Sequence, residues 1–175
     1  AHEVGVIMHH GLKRMVERQE NVFYYITLLN ENYAMPGLLP GTEEQIIKGM
    51  YLCKPGADGD KRVQLLGPGT ILRESLEAQT LLAADWGVQA DVWSCPSFNE
   101  LTREGQDADR WNLLHPLETP RVPFVTRQLG SRSGPVVAST DYMKAYAEQI
   151  RPFVPKGRSY RVLGTDGFGR SDFRS

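Results

Sequence analysis

The residues best suited to chemistry lie in Asn30-Glu31-Asn32-Tyr33, where one carboxylate is bracketed by two amides and followed by a phenol. A partly buried carboxyl in such a loop can have its pKa raised and serve as an acid or base, whereas most loop glutamates are solvated. Spacing alone leaves both readings open. His9 and His10 are adjacent, so on a helix they cannot face one ligand as an i, i+4 pair would, and metal binding is not expected there. His115, followed by Pro116, is expected to cap a helix end, with a catalytic role as the competing reading. Gly67-Pro68-Gly69 stands where a phosphate-binding loop would, between a strand and a helix. It completes neither G-x-G-x-x-G nor G-x-x-x-x-G-K-[ST], and Pro68 removes an amide donor, so it reads as a plain turn. Asp166-Gly167-Phe168-Gly169 contains the letters of a kinase element without the lysine strand or catalytic loop that chemistry requires. Cys53 and Cys95, the only cysteines, lack C-x-x-C spacing and read as free, reduced thiols.

These groups must be positioned by a folded chain of ordinary composition. At 175 residues there is enough chain for a well-buried core. The 20 basic and 21 acidic side chains create no net positive field, so neither nucleic acid nor an anionic membrane is the expected partner. The longest apolar run, Val22 to Leu29, is far short of the roughly 20 residues that span a bilayer. The amino end, Ala1-His2-Glu3-Val4, has no signal-peptide pattern, which gives an expectation of cytoplasmic residence. Both ends look like cut ends of a longer parent.

Val4 to Glu17 carries Val4, Ile7, Met8, Leu12, Met15 and Val16 at helical spacing and predicts an amphipathic helix. Val22 to Leu29 lacks polar alternation and predicts a parallel strand buried on both faces. Glu31 to Tyr33 then leave that strand at its carboxyl end, where open α/β sheets place ligands. Thr42 to Gln45 has capping-box spacing ahead of Ile46, Ile47, Met50 and Leu52, so a short helix is expected there. The turn-rich Lys54 to Lys61 predicts a boundary between two α/β segments. Beyond it, strands are expected at 63–67, 89–94, 135–140 and 160–163, with helices at 72–85, 98–113 and 141–150. This alternation argues for a mostly parallel sheet flanked by helices. Trp86, Trp93 and Trp111 are irregularly spaced and read as core or interface packing.

Several segments, in order along nearly the whole chain, are similar to bacterial homodimeric pyruvate dehydrogenases. They are Phe23 to Tyr33, Val63 to Arg73, Asp109 to Pro116, Ala138 to Met143 and Val162 to Asp172. The resemblance implies the thiamine-diphosphate-dependent first component of the pyruvate dehydrogenase complex, a transketolase-like homodimer of three α/β domains. By that resemblance, residues 1–55 end the middle, pyrimidine-binding domain, and 61–175 form a truncated transketolase-like C-terminal domain. The parent enzyme would decarboxylate pyruvate on thiamine diphosphate and magnesium, then reductively acetylate lipoamide on the dihydrolipoyl acyltransferase. The pyrophosphate-binding domain would be absent, so neither cofactor nor activity is expected of the fragment alone. Glu31 matches the family's active-centre-facing glutamate, with Asn32 and Tyr33 in support. Ala34 stands where studied members carry a histidine, so that histidine's proton donation does not carry over. The alternative is an interaction module, facing its dimer partner and the acyltransferase, with no activity of its own.

Overall fold

The structure is a computed structural model that describes residues 2–29, 32 and 34–167. Its framework is a five-stranded sheet formed by β1 (Tyr51–Lys54), β2 (Arg62–Gly67), β3 (Gln89–Ser94), β4 (Val136–Met143) and β5 (Tyr160–Thr165). The order across the sheet is β1-β3-β2-β4-β5. All neighbours run parallel except β1, which pairs antiparallel with β3 at one edge. The four expected parallel strands are therefore present. They are rich in apolar residues because helices pack on them.

Alternate residues divide into two cores. Val63, Leu65, Ala90 and Val92 meet Leu72, Leu76 and Leu82 of α3 (Ile71–Trp86). Leu66, Trp93, Val136, Ala138 and Val162 meet the other face, packed by α4 (Phe98–Leu114), α5 (Phe124–Gly130) and α6 (Ala145–Glu148). The start of α4 follows the sequence closely: the Ser97 side chain accepts the Glu100 amide at 3.1 Å, a standard N-cap bond.

Four expectations need correction. The helix expected through Leu52 stops early: α2 spans Glu43–Ile47, and Tyr51–Lys54 is the edge strand β1. Gly49 turns the chain between them with φ 101°, and a Cβ there would lie 2.5 Å from the Ser97 carbonyl oxygen. Thr42 does not make the capping-box bond; its hydroxyl donates to the Leu39 carbonyl at 2.6 Å. The helix expected over 141–150 is reduced to the single turn of α6, because β4 continues through Met143. Finally, Val22 to Leu29 forms no strand, and Phe23 and Tyr25 are 88% and 87% exposed. Its apolar character suits burial between neighbouring strands, yet no described residue supplies one.

Below the sheet's amino edge lies a buried ionic knot. The Asp91 carboxylate, fully buried, accepts from Arg62 Nη2 at 3.0 Å and Arg132 Nη1 at 2.8 Å. It also takes the Gly56 amide at 2.9 Å and Gln64 Nε2 at 2.8 Å, while Gln64 Oε1 accepts from Trp93 Nε1. Burial alone would push this carboxyl up. The four donors outweigh it and hold the group below its usual range.

Cys53 is half-buried, Cys95 is buried, and both are free. Burial pushes both thiols up, so at neutral pH they stay protonated and unreactive. Titration of the chain unfolded without reductant is expected to count two thiols, with Cys95 reacting only once the fold is lost. A count of zero would mean a disulfide instead.

Candidate functional site

The loop singled out by sequence is entered from α1 (His2–Leu12), which continues into a π-helical turn, Lys13–Glu17. The front of α1 reaches the carboxyl edge of the sheet. Glu3 Oε1 accepts the Tyr51 hydroxyl at 2.8 Å and the Ser94 hydroxyl at 2.5 Å, and His2 Nε2 lies 3.1 Å from the same Tyr51 oxygen. Burial, then the Glu3 charge, pushes the Tyr51 phenol up, so it remains a hydroxyl and can donate. No sequence pattern signals this cluster, because its members are separated by 48 and 91 residues.

The back of α1 and the π-helical turn after it hold the segment that follows. Arg14 bonds Glu20 at 2.6 Å and donates from Nη1 to the Tyr24 hydroxyl oxygen at 3.2 Å. That hydroxyl oxygen also lies 3.2 Å from His10 Nδ1. Burial first, then Arg14 and Arg18, lowers the His10 pKa, which favours the neutral ring. Val22, Tyr24 and Ile26 are half-buried in this arrangement, while Phe23, Tyr25 and Leu28 are exposed. These exposed apolar side chains are the part of the segment that packs on nothing among the described residues.

Of the three site residues expected from sequence, Glu31 and Tyr33 lie outside the described residues, as does Asn30. Asn32 is exposed, and so is Ala34. On the near side of the loop, Thr27 Oγ1 lies 2.6 Å from the Tyr142 hydroxyl at the end of β4. The segment leading to Glu31 is therefore linked at one end to α1 and at the other to the parallel sheet.

The remaining candidates are settled by their contacts. His9 is exposed and His10 half-buried, bonded to Tyr24 rather than shared with His9. His115 is the C-cap of α4, with Nδ1 2.8 Å from the Trp111 carbonyl and its ring stacked on Trp111. Trp93 is buried in the core, whereas Trp86 is 72% exposed. Gly67-Pro68-Gly69 is a turn between β2 and α3: the amides of Ile71, Leu72 and Arg73 already donate to the carbonyls of Pro68, Gly69 and Thr70. A diphosphate would find few free donors there. Among the described residues no three of His, Cys, Asp and Glu are grouped to hold a metal ion. These residues do not fit a diphosphate–magnesium cradle.

Comparison with known proteins matches this architecture to two family models. Residues 49–175 match the transketolase-like TK C-terminal domain, and residues 1–36 match the pyruvate dehydrogenase E1 component middle domain. The pyruvate dehydrogenase E1 component of Escherichia coli is 59% identical over 175 residues, covering 99% of this chain and 19% of that protein. Those of Cupriavidus necator and Pseudomonas aeruginosa are 58% and 57% identical over the same length, covering 19% and 20% of those proteins. The chain thus spans about a fifth of the curated relatives it matches. With a mostly parallel sheet and residues 49–175 matched, the chain belongs to the transketolase-like TK C-terminal domain family, and along 99% of its length it is similar to pyruvate dehydrogenase E1 components.

Proposed function

We propose that this chain is the part of a thiamine-diphosphate-dependent pyruvate dehydrogenase E1 component that ends its middle domain and builds its C-terminal domain. The division falls at the turn-rich Lys54 to Lys61, with residues 1–55 before it and 61–175 after it. β1 precedes that turn yet hydrogen-bonds to the sheet that follows it, and it falls within the residues matched to the C-terminal domain. The whole enzyme would decarboxylate pyruvate and reductively acetylate the lipoamide of a dihydrolipoyl acyltransferase, working as a homodimer in the cytoplasm. Among the described residues no helix is long and apolar enough to cross a membrane. The observation that carries the reading is the identity of 57–59% over 175 residues to three E1 components.

Within that enzyme, Glu31 is the group that faces the active centre, hydrogen-bonding or handling a proton near the substrate channel, with Asn32 and Tyr33 in support. Thiamine diphosphate and magnesium are held by parts of the enzyme outside these residues. In an E1 component carrying this segment, Glu31→Gln is expected to lower kcat by about tenfold to a hundredfold, the range set by one hydrogen bond to a charged group. Steady-state pyruvate kinetics make the check, and an unchanged kcat would remove Glu31 from the site.

One observation favours a second reading, an interaction module without activity of its own. Phe23, Tyr25, Leu28 and Leu29 form an exposed apolar edge that suits a subunit contact. Both readings require that edge to be covered in the assembled enzyme.

A further inference from the structure

The two faces of the sheet are covered unequally. On one face the helices α4, α5 and α6 reach as far as the edge strand β5, whose Tyr160 and Val162 are buried in their core. On the other face, among the described residues, α3 is the only helix that contributes to the core, and it packs on β2 and β3. One cross-strand row shows where its cover ends. Val92, Leu65, Val137 and Arg161 pair in that order from β3 to β5. Alternation along the strands puts all four on the α3 face. Val92 and Leu65 are buried, Val137 is half-buried and Arg161 is exposed. In the next row Ser139 pairs with Leu163, which is 58% exposed although it lies within a strand.

The connections already present cannot close this gap. Crossovers between parallel strands are right-handed, so the direction in which the chain moves across the sheet decides which face its helix takes. From β2 the chain moves one way to β3, with α3 on one face. From β3 to β4 and from β4 to β5 it moves the other way, which sends α4, α5 and α6 to the opposite face. Parallel sheets are covered on both faces, so the α3 side of β4 and β5 calls for a segment outside the described residues. The chain spans about a fifth of each E1 component it matches, so the same polypeptide has ample length to supply one. A tethered segment also outcompetes a second molecule, because linkage raises its local concentration to about millimolar. Arg161 adds a charge to the surface: its guanidinium pairs with no carboxylate among the described residues.

We propose that Val137, Ser139, Arg161 and Leu163 form the seat of an amphipathic helix supplied by the same E1 polypeptide, with apolar side chains on Val137 and Leu163 and a carboxylate opposite Arg161. This rests on the reading of the chain as part of a larger E1 component and adds a surface on which another part of that enzyme docks. Such a helix would run beside α3 and complete the second layer of the sheet.

The test is thiol labelling of an intact E1 component that carries these residues, with the wild-type signal subtracted. The Leu163→Cys thiol is expected to react with a maleimide about a hundredfold more slowly in the native enzyme than in urea, as a site opened only by local unfolding does. Arg161→Cys, on the same face of β5, is expected to behave alike and serves where Leu163→Cys does not fold. Added to Leu163→Cys, Arg161→Glu sets one carboxylate against another and is expected to speed native labelling about tenfold, whereas Arg161→Lys leaves it unchanged. A native rate close to the unfolded one would overturn the inference. Protection that disappears on dilution would overturn it too, since the occupant would then be a second copy, and indifference to Arg161→Glu would remove the carboxylate. Pyruvate turnover by the same preparation is read separately. Its absence refutes the functional reading, while the labelling rates still decide whether this face is covered.

Discussion

Asp91→Ala is expected to destabilise the chain by about 3–5 kcal/mol, the cost of breaking a buried charge pair from one side. The carboxylate is fully buried and receives two guanidinium groups, a side-chain amide and a backbone amide. Its removal strands all four donors at once. Arg62 and Arg132 are partly exposed, at 16% and 29%, and water relieves them in part, which places the effect toward the lower end of that range. For a chain of this length, the fall in Tm is roughly 6–15 °C. Thermal melts of wild type and variant make the comparison, and a shift of about a degree would mean that the knot is dispensable.

The same carboxyl supplies a pH dependence whose sign is fixed by its lowered pKa. A carboxyl with a lower pKa in the folded than in the unfolded chain contributes stability that is fully present above its unfolded value of about 3.9. That contribution is lost as pH falls through the folded value. The stability gap between wild type and Asp91→Asn is therefore expected to be constant near neutrality and to close in acid, below about pH 4. A gap that instead widens in acid would contradict the direction.

The isolated 175-residue chain is expected neither to bind thiamine diphosphate with magnesium measurably nor to decarboxylate pyruvate. Diphosphate and magnesium require clustered amide donors and oxygen ligands. Here Pro68 has no amide, the amides of Ile71, Leu72 and Arg73 already have carbonyl partners, and no metal-binding group occurs among the described residues. Losing three charge-assisted contacts of about 1.5–3 kcal/mol each removes about 5–9 kcal/mol. At about 1.4 kcal/mol per tenfold, a micromolar site becomes millimolar or weaker. Isothermal titration followed by a pyruvate decarboxylation assay makes the check. Micromolar affinity or clear turnover would mean that a cofactor site is built from this segment after all.

The parallel sheet and its long helices were legible in the sequence because each is specified locally. Short apolar-rich runs such as Val63-Gln64-Leu65-Leu66 and Ala90-Asp91-Val92-Trp93 announce strands covered on both faces, and the stretches that form α3 and α4 carry helical periodicity. The two polar residues inside those runs, Gln64 and Asp91, are buried as well, and they bond to each other across the neighbouring strands. His115 next to Pro116 likewise announces a helix end, and it caps α4. The five segments that resemble pyruvate dehydrogenases carried the family, and with it the attention to Glu31, which spacing alone left undecided.

What tertiary structure decided are the outcomes that depend on which bodies meet. Ile46 to Leu52 could have continued as a helix; the close pass of Gly49 against Ser97, and the free edge of β3, made Tyr51–Lys54 a strand instead. β4 outran its expected end because Gly164 opposite leaves room for the bulge that carries Tyr142. Val22 to Leu29 has the composition of a buried strand, but composition specifies that a surface must be covered and not by what. The bonds from Glu3 to Ser94 and from Thr27 to Tyr142 join residues 91 and 115 positions apart, a separation at which no local periodicity can act, so only the folded chain brings them together.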